Sequence, residues 1–227
     1  MTGPVAEDCI IIGAGPAGLT AAIYLARFHL SVTVLDDGRS RALLIPMTRN
    51  HAGYPEGIAG AELVSRMRRQ AEAYGAVIRP LRAESIARLD GGFEVMTADG
   101  AVSATKVLLA TGVINLRPRM NEAQHRQALA AGLLRYCPVC DGYEVTDRRV
   151  ALLGTGEHAL REAEFMRSFT ADVTLVAPDG AHDFSTAQKE GLARWGIAAV
   201  NGPGTEFHLA RKRITLQAGG KGGSLDT

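Results

Sequence analysis

The sequence predicts an α/β chain made of two successive strand–turn–helix–strand units, and three observations predict it. An apolar run, Cys9-Ile-Ile-Ile12, enters the glycine-rich turn Gly13-Ala-Gly15-Pro-Ala-Gly18 and then a helical stretch. A second run, Val150-Ala-Leu-Leu153, enters Gly154-Thr-Gly156-Glu-His-Ala159 and another helix. Between them lies Arg135-Tyr-Cys-Pro-Val-Cys-Asp-Gly-Tyr-Glu144, with two cysteines three apart. Short apolar runs of this kind suit central strands covered on both faces.

Bulk properties narrow the class. A length of 227 residues at 46% hydrophobic content suits one large domain or two small ones. Lys+Arg 25 against Asp+Glu 24 leaves no charge excess to draw nucleic acid or a membrane surface. No stretch approaches the ~20 apolar residues of a membrane span. Met1 to Asp8 lacks the basic start and apolar core of a signal peptide. Three cysteines, two of them as C-x-x-C, do not make a secreted disulfide framework. The expectation is a cytoplasmic protein.

In the first unit Gly13, Gly15 and Gly18 have separate jobs around Pro16 and Ala17. They permit the tight turn, let a pyrophosphate approach the backbone, and let helix and strand pack closely. The helix is expected over Leu19–Arg27, and the next strand, Val32-Thr-Val-Leu35, ends in Asp36. An acid there is placed to meet a ribose hydroxyl, with Asp37 as the substitute if the strand runs one residue longer. Cys9 reads as a small core hydrophobe.

Arg39 to Pro55 reads as a long functional loop, and its Asn50 is either a flavin-edge contact or a plain turn residue. Gly60 to Tyr74 reads as an amphipathic helix with Leu63, Met67 and Ala71 inward and Arg66, Arg68 and Arg69 on a solvated face. Short strands are expected around Ser85–Leu89, Phe93–Thr97 and Val102. A separate buried strand is expected from Lys106, running out at Ala110-Thr111-Gly112.

The spacing of Cys137 and Cys140 lets two thiols close a small, reducible ring, and Asp141 beside it can exchange a proton with a thiolate. Half a zinc site is the alternative, but no second C-x-x-C or C-x-x-H pair accompanies it, so no metal is expected. In the second unit the turn runs through Gly154, Gly156, Glu157, His158 and Ala159 into a helix over His158–Ser168. Strand Val173–Val176 follows, and a second dinucleotide site is expected there. His158 either touches a phosphate or simply starts the helix.

The order of these motifs, with Asn50-x-x-Gly-Tyr-Pro and Ala110-Thr-Gly112 between the two turns, resembles the thioredoxin-reductase-like flavoproteins among the pyridine nucleotide–disulfide oxidoreductases. The Cys-Pro-x-Cys-x-Gly-Tyr-Glu form is also similar to the branch that contains dithiol oxidases of small-molecule biosynthesis. The resemblance implies two Rossmann-like domains, 1–115 for FAD and 116–227 for NADPH or NADH, with Leu116–Met120 as linker. It implies that Gly13, Gly15, Gly18 and Asp36 hold the ADP half of FAD, while Asn50 and Ala110 to Gly112 sit by the riboflavin side. Cys140 is then the flavin-proximal thiol, Cys137 the one that attacks the substrate, and Asp141 the proton carrier. The implied partners are a thioredoxin-like protein or a small-molecule dithiol or disulfide, and a second copy in a homodimer. Either direction of electron flow fits the motif.

The sequence departs from that pattern twice. NADPH-using members follow the strand of the second unit with a basic cluster, whereas here it runs into Ala177-Pro-Asp-Gly-Ala-His-Asp183, whose Asp179 repels a 2′-phosphate. The family's late Ala-x-Gly-Asp turn, which returns to complete the FAD domain, does not appear before Thr227. The expectation is a fragment, a chain completed by a partner, or a short form that binds flavin less well. Uncovered apolar surface at ~25 cal/mol per Å² then lowers stability.

Overall fold

The computed structural model describes residues 7–178, 180–202, 206–210, 213–217 and 224–226. The chain divides into two compact units, Met1–Ile114 and Asn115–Thr227.

The first unit is built around β1 (Glu7–Ile12), α1 (Pro16–Arg27) and β2 (Val32–Leu35). They are followed by α2 (Gly60–Ala73), β3 (Val77–Arg79), β4 (Ser85–Leu89), β5 (Gly92–Thr97) and β6 (Gly100–Leu109). The sheet order is β3-β2-β1-β6-β5-β4. Strands β3, β2, β1 and the second half of β6 run parallel, and the β4–β5 hairpin is antiparallel. Strand β1 is central, and its inner stretch from Cys9 to Ile12, covered on both faces, is the unbroken apolar run.

Alternation along β1 distributes its side chains to two cores. Cys9 and Ile11 join Val32 and Val34 beneath Leu19, Ala22 and Ala26 of α1 and Val64 and Ala71 of α2. Ile10 turns to the other face and packs with Leu35, Val95 and Ala104. The result is a Rossmann-like arrangement in which α1 and α2 cover one face of a six-stranded mixed sheet. Ile10 and Ile11 are fully buried, and such a side chain contributes about 1.5–3 kcal/mol relative to exposure.

Two local expectations need correction. Strands were expected separately around Val102 and from Lys106, but one ten-residue strand covers both. Ala104 is the changeover: it pairs with Phe93 on the antiparallel side and Glu7 on the parallel side. No glycine, proline, asparagine or aspartate interrupts Ala101 to Leu109, so the backbone simply continues. Helix α1 starts at Pro16, three residues earlier than Leu19, with Gly15 as its cap. Proline loses nothing at this position, since its missing N–H has no helical partner there and its φ is already helical.

The second unit repeats the plan. It contains α3 (Glu122–Ala130), the single turn α4 (Pro138–Asp141), β7 (Val150–Leu153), α5 (Gly156–Met166) and β8 (Val173–Ala177). Then come α6 (Thr186–Trp195), β9 (Ala198–Asn201), β10 (Glu206–Ala210), β11 (Arg213–Gln217) and β12 (Ser224–Asp226). Strands β7-β8-β9 form a parallel sheet and β10-β11-β12 an antiparallel one. Leu152 faces α5 with Leu160 and Ala163, whereas Ala151 and Leu153 pack against Phe207, Ile214 and Leu216 of the meander. Among the described residues no helix is long and apolar enough to cross a membrane.

Candidate active site and dinucleotide turns

The first glycine turn is fixed by close backbone approaches. Gly13 has φ +105°, and a Cβ there would lie 2.4 Å from the Ala110 carbonyl oxygen. A Cβ on Gly18 would lie 1.9 Å from the Gly13 carbonyl oxygen. Gly15 is less confined, with only Ser40 Oγ 3.2 Å from its would-be Cβ. The turn is thus tight underneath and open at its middle glycine, where a diphosphate can reach the backbone. Helix α1 has no side-chain cap, which leaves its first N–H groups for an anion.

Asp36 closes this turn. Its Oδ1 accepts the Ala14 N–H at 3.0 Å, and Arg68 Nη2 stands 3.5 Å from its Oδ2. Arg68 therefore belongs to the turn's support and not to the solvated face expected for it. Asp37 points elsewhere, accepting from Arg39 Nε at 3.0 Å and standing 3.8 Å from Arg82. The Arg39 guanidinium holds the Asp37 carboxyl below the usual carboxylate range. Ala110 lies against the turn, with its N–H donating to Ile12 O at 2.9 Å. Thr111 and Gly112 follow it, exposed, with Gly112 at φ +68°. Asn50 lies in an exposed loop and accepts from Thr48 Oγ1 at 2.6 Å. The contacts bring Ala110 and Asp36 to the turn.

The second turn achieves closeness by a different partition. Gly154 donates its N–H to Val176 O at 2.9 Å, and a Cβ on it would meet the Ala159 Cβ at 2.8 Å. Here alanine fills the third position and the first glycine yields the space. Gly156 has φ +70° with open space where its Cβ would be. Glu157 and His158 both turn along the helix, to Arg161 and, at 3.4 Å, to Glu162. At 87% side-chain exposure His158 behaves as a surface helix residue. Asp179 lies outside the described residues.

Cys137 and Cys140 are joined as a disulfide, with Cα atoms 5.2 Å apart. Cys137 caps α4: its carbonyl accepts the N–H groups of Cys140 and Asp141 at 3.0 Å, and its Sγ lies 3.2 Å from Cys140 N. Pro138 at the first helical position pre-sets this turn. Gly142 lies against Phe169, whose ring atom Cε2 would be 2.4 Å from any Cβ. Asp141 Oδ1 lies 3.4 Å from Arg135 Nη1. Val139 and Tyr143 are exposed at 77% and 80%, so the ring is flanked by apolar surface. Next to Cys137 in the chain, Tyr136 meets buried His125 of α3, its Oη 2.7 Å from His125 Nε2. Arg135, His125 and Gly142 had no role on sequence grounds. Only Arg135 and Gly142 fell within the dithiol motif, and His125 carried no local signal.

A Rossmann-like unit with a buttressed glycine turn is followed here by a second unit bearing a Cys-x-x-Cys disulfide, the pairing expected of the pyridine nucleotide-disulphide oxidoreductases. The chain belongs to the pyridine nucleotide-disulphide oxidoreductase family, whose model matches residues 7–211. It is 35% identical over 171 residues to the thioredoxin reductase of Treponema pallidum, covering 74% of this chain and 55% of that protein. It is 30% identical over 231 residues to NADPH-dependent thioredoxin reductase 3 of Arabidopsis thaliana, covering 97% and 41% respectively. Among solved structures, HlmI is 26% identical with a TM-score of 0.78, covering 99% of this chain and 70% of that one. The thioredoxin reductase of Streptococcus pyogenes, at 24% identity and a TM-score of 0.82, shares the fold. The chain spans about half the length of the curated relatives it matches. The expected likeness to thioredoxin reductases is borne out.

Proposed function

We propose that the chain works as a FAD-dependent dithiol/disulfide oxidoreductase, with residues 1–115 holding FAD and 116–227 carrying the nucleotide turn and the redox pair. The observation that carries this reading is the Cys137–Cys140 disulfide in a one-turn helix, with Asp141 as its next residue. The first turn fits the ADP half of FAD: Gly15 leaves the backbone open, α1 offers uncapped N–H groups, and Asp36 stands at the end of β2. Bound FAD would supply two-electron exchange between NADPH or NADH and the Cys140 side of the disulfide.

The remaining chemistry belongs to this chain's own residues. In the reduced state the Cys137 thiolate attacks one sulfur of the substrate disulfide, forming a mixed disulfide and releasing one substrate thiol. Cys140 then attacks Cys137 Sγ, which re-forms the ring and releases the second thiol. Two protons pass from the dithiol to the two substrate thiols, and Asp141 carries them. Exposed Val139 and Tyr143 give a partner apolar surface beside the sulfurs. The substrate in this reading is a thioredoxin-like protein or a small-molecule disulfide, handled by a cytoplasmic homodimer.

A second reading, oxidation of a substrate dithiol with oxygen as final acceptor, needs no NADPH site after β8. Pro178 to Ser185 carries two aspartates and neither arginine nor lysine, which does not suit a 2′-phosphate. The test is the visible absorption spectrum of the purified chain, followed by NADH and NADPH added separately under argon. A flavin band bleached by either nucleotide supports the reductase, and the faster nucleotide is the donor. A band bleached only by a dithiol, with peroxide formed on admitting air, supports the oxidase. A Cys140→Ser variant with unchanged redox activity would refute both.

A further inference from the structure

Arg135 is held in an arrangement that surface solubility does not require. It leaves the backbone two residues before Cys137, and its Nη2 lies 3.1 Å from where a Gly132 Cβ would stand. Gly132 has φ +68°, so the position is both conformationally and sterically suited to glycine. The guanidinium Nη1 reaches Asp141 Oδ1 at 3.4 Å, spanning the redox ring from the residue before Tyr136 to the residue after Cys140. Both side chains are mostly covered, at 30% and 25% exposure, so solvent screens the pair less than an exposed one. Arg135 Nε is buried with no hydrogen-bond partner. A cation placed this way, with one donor left unsatisfied, is retained at a cost in solvation.

The geometry points to Arg135 as a positioning residue of the redox centre, one that holds the Asp141 carboxylate beside the Cys137–Cys140 pair and compensates its charge. This rests on the reading of that pair as an exchanging dithiol. An uncompensated carboxylate next to Cys140 opposes thiolate formation, because like charges disfavour each other's ionised forms. Paired with Arg135, the same carboxylate stays in place to accept the proton of a thiol S–H. It then returns that proton to the substrate sulfur released when the disulfide breaks. No electrons pass through Arg135 or Asp141, and the exchange balances as enzyme dithiol plus substrate disulfide giving enzyme disulfide plus two substrate thiols.

Two residues that act as a unit give penalties that do not multiply. The experiment uses the full 227-residue chain, reduced with dithiothreitol and desalted under argon, and follows its exchange with glutathione disulfide between pH 5 and 9. The variants are Arg135→Gln, Asp141→Asn, the double variant and Arg135→Lys. Each single substitution is expected to slow exchange roughly 100-fold, the lower end of what a positioned acid–base group contributes. The double variant is expected to be no slower than Asp141→Asn alone. In Arg135→Gln the acid limb of the pH profile is expected to move to higher pH, and Arg135→Lys, which keeps the charge, restores part of the rate. Penalties that multiply, or an Arg135→Gln rate equal to the parent's, would overturn the role of Arg135 alone. Absence of any exchange by the parent chain would overturn the dithiol reading together with it.

Discussion

The carboxylate of Asp36 accepts the backbone N–H of Ala14 at 3.0 Å, which ties the end of β2 to the first glycine turn. Arg68, reaching across from α2, stands 3.5 Å from the other oxygen, so three elements meet on one acid. Replacing Asp36 with Ala leaves the N–H of a nearly fully buried residue without an acceptor and the Arg68 charge unopposed. The expected cost is about 1–3 kcal/mol of first-unit stability. Asp36→Asn keeps an acceptor and should cost less. Urea unfolding followed by far-UV circular dichroism ranks the two, and equal midpoints for parent and Asp36→Ala would remove the buttressing role.

The two glycine turns are tight in different places, and substitution should expose this. Gly18→Ala drives a Cβ to 1.9 Å from the Gly13 backbone, a clash with no flexible partner to absorb it. It should cost at least the ~1–3 kcal/mol typical of overpacking. Gly156→Ala meets open space and suffers only from its φ of +70°, about 1–2 kcal/mol of strain. Gly154→Ala clashes with the Ala159 Cβ at 2.8 Å, so adding Ala159→Gly should recover part of its loss. Trp195, the only tryptophan, lies in α6 and reports second-unit unfolding separately by fluorescence. No recovery in the double variant would mean that the two positions do not compete for space.

What was legible in the sequence was local. The runs Cys9 to Ile12 and Val150 to Leu153, their glycines and the following helices are consecutive residues whose periodicity is set by their own backbone. The dithiol was legible for the same reason. The Arg68–Asp36 pair and the His125–Tyr136 hydrogen bond were not, because each joins elements through tertiary packing that no spacing encodes. The boundary errors have local causes: Pro16 reads as a turn former while serving as a helix start. Nothing in Ala101 to Leu109 signals that β6 changes partners at Ala104.

The His125–Tyr136 pair should make second-unit stability depend on pH at both ends. Burial pushes the His125 imidazole below its ordinary value of 6.5, and the nearby Arg117 charge acts the same way against Glu122. Below pH 6.5 the unfolded chain therefore takes up a proton that the folded chain refuses. The contribution of neutral His125 is complete above that pH and is lost as pH falls toward the folded value. Burial raises the Tyr136 phenol above 10.0, partly offset by Arg117, so its contribution is complete below that pH and is lost as pH rises further. Urea midpoints from Trp195 fluorescence should decline from pH 6.5 downward in the parent. In His125→Gln, which cannot titrate, that decline should flatten. Tyr136→Phe leaves buried Nε2 unpaired and should cost about 1–3 kcal/mol at neutral pH. An acid-side slope unchanged by His125→Gln would assign the pH dependence to other groups.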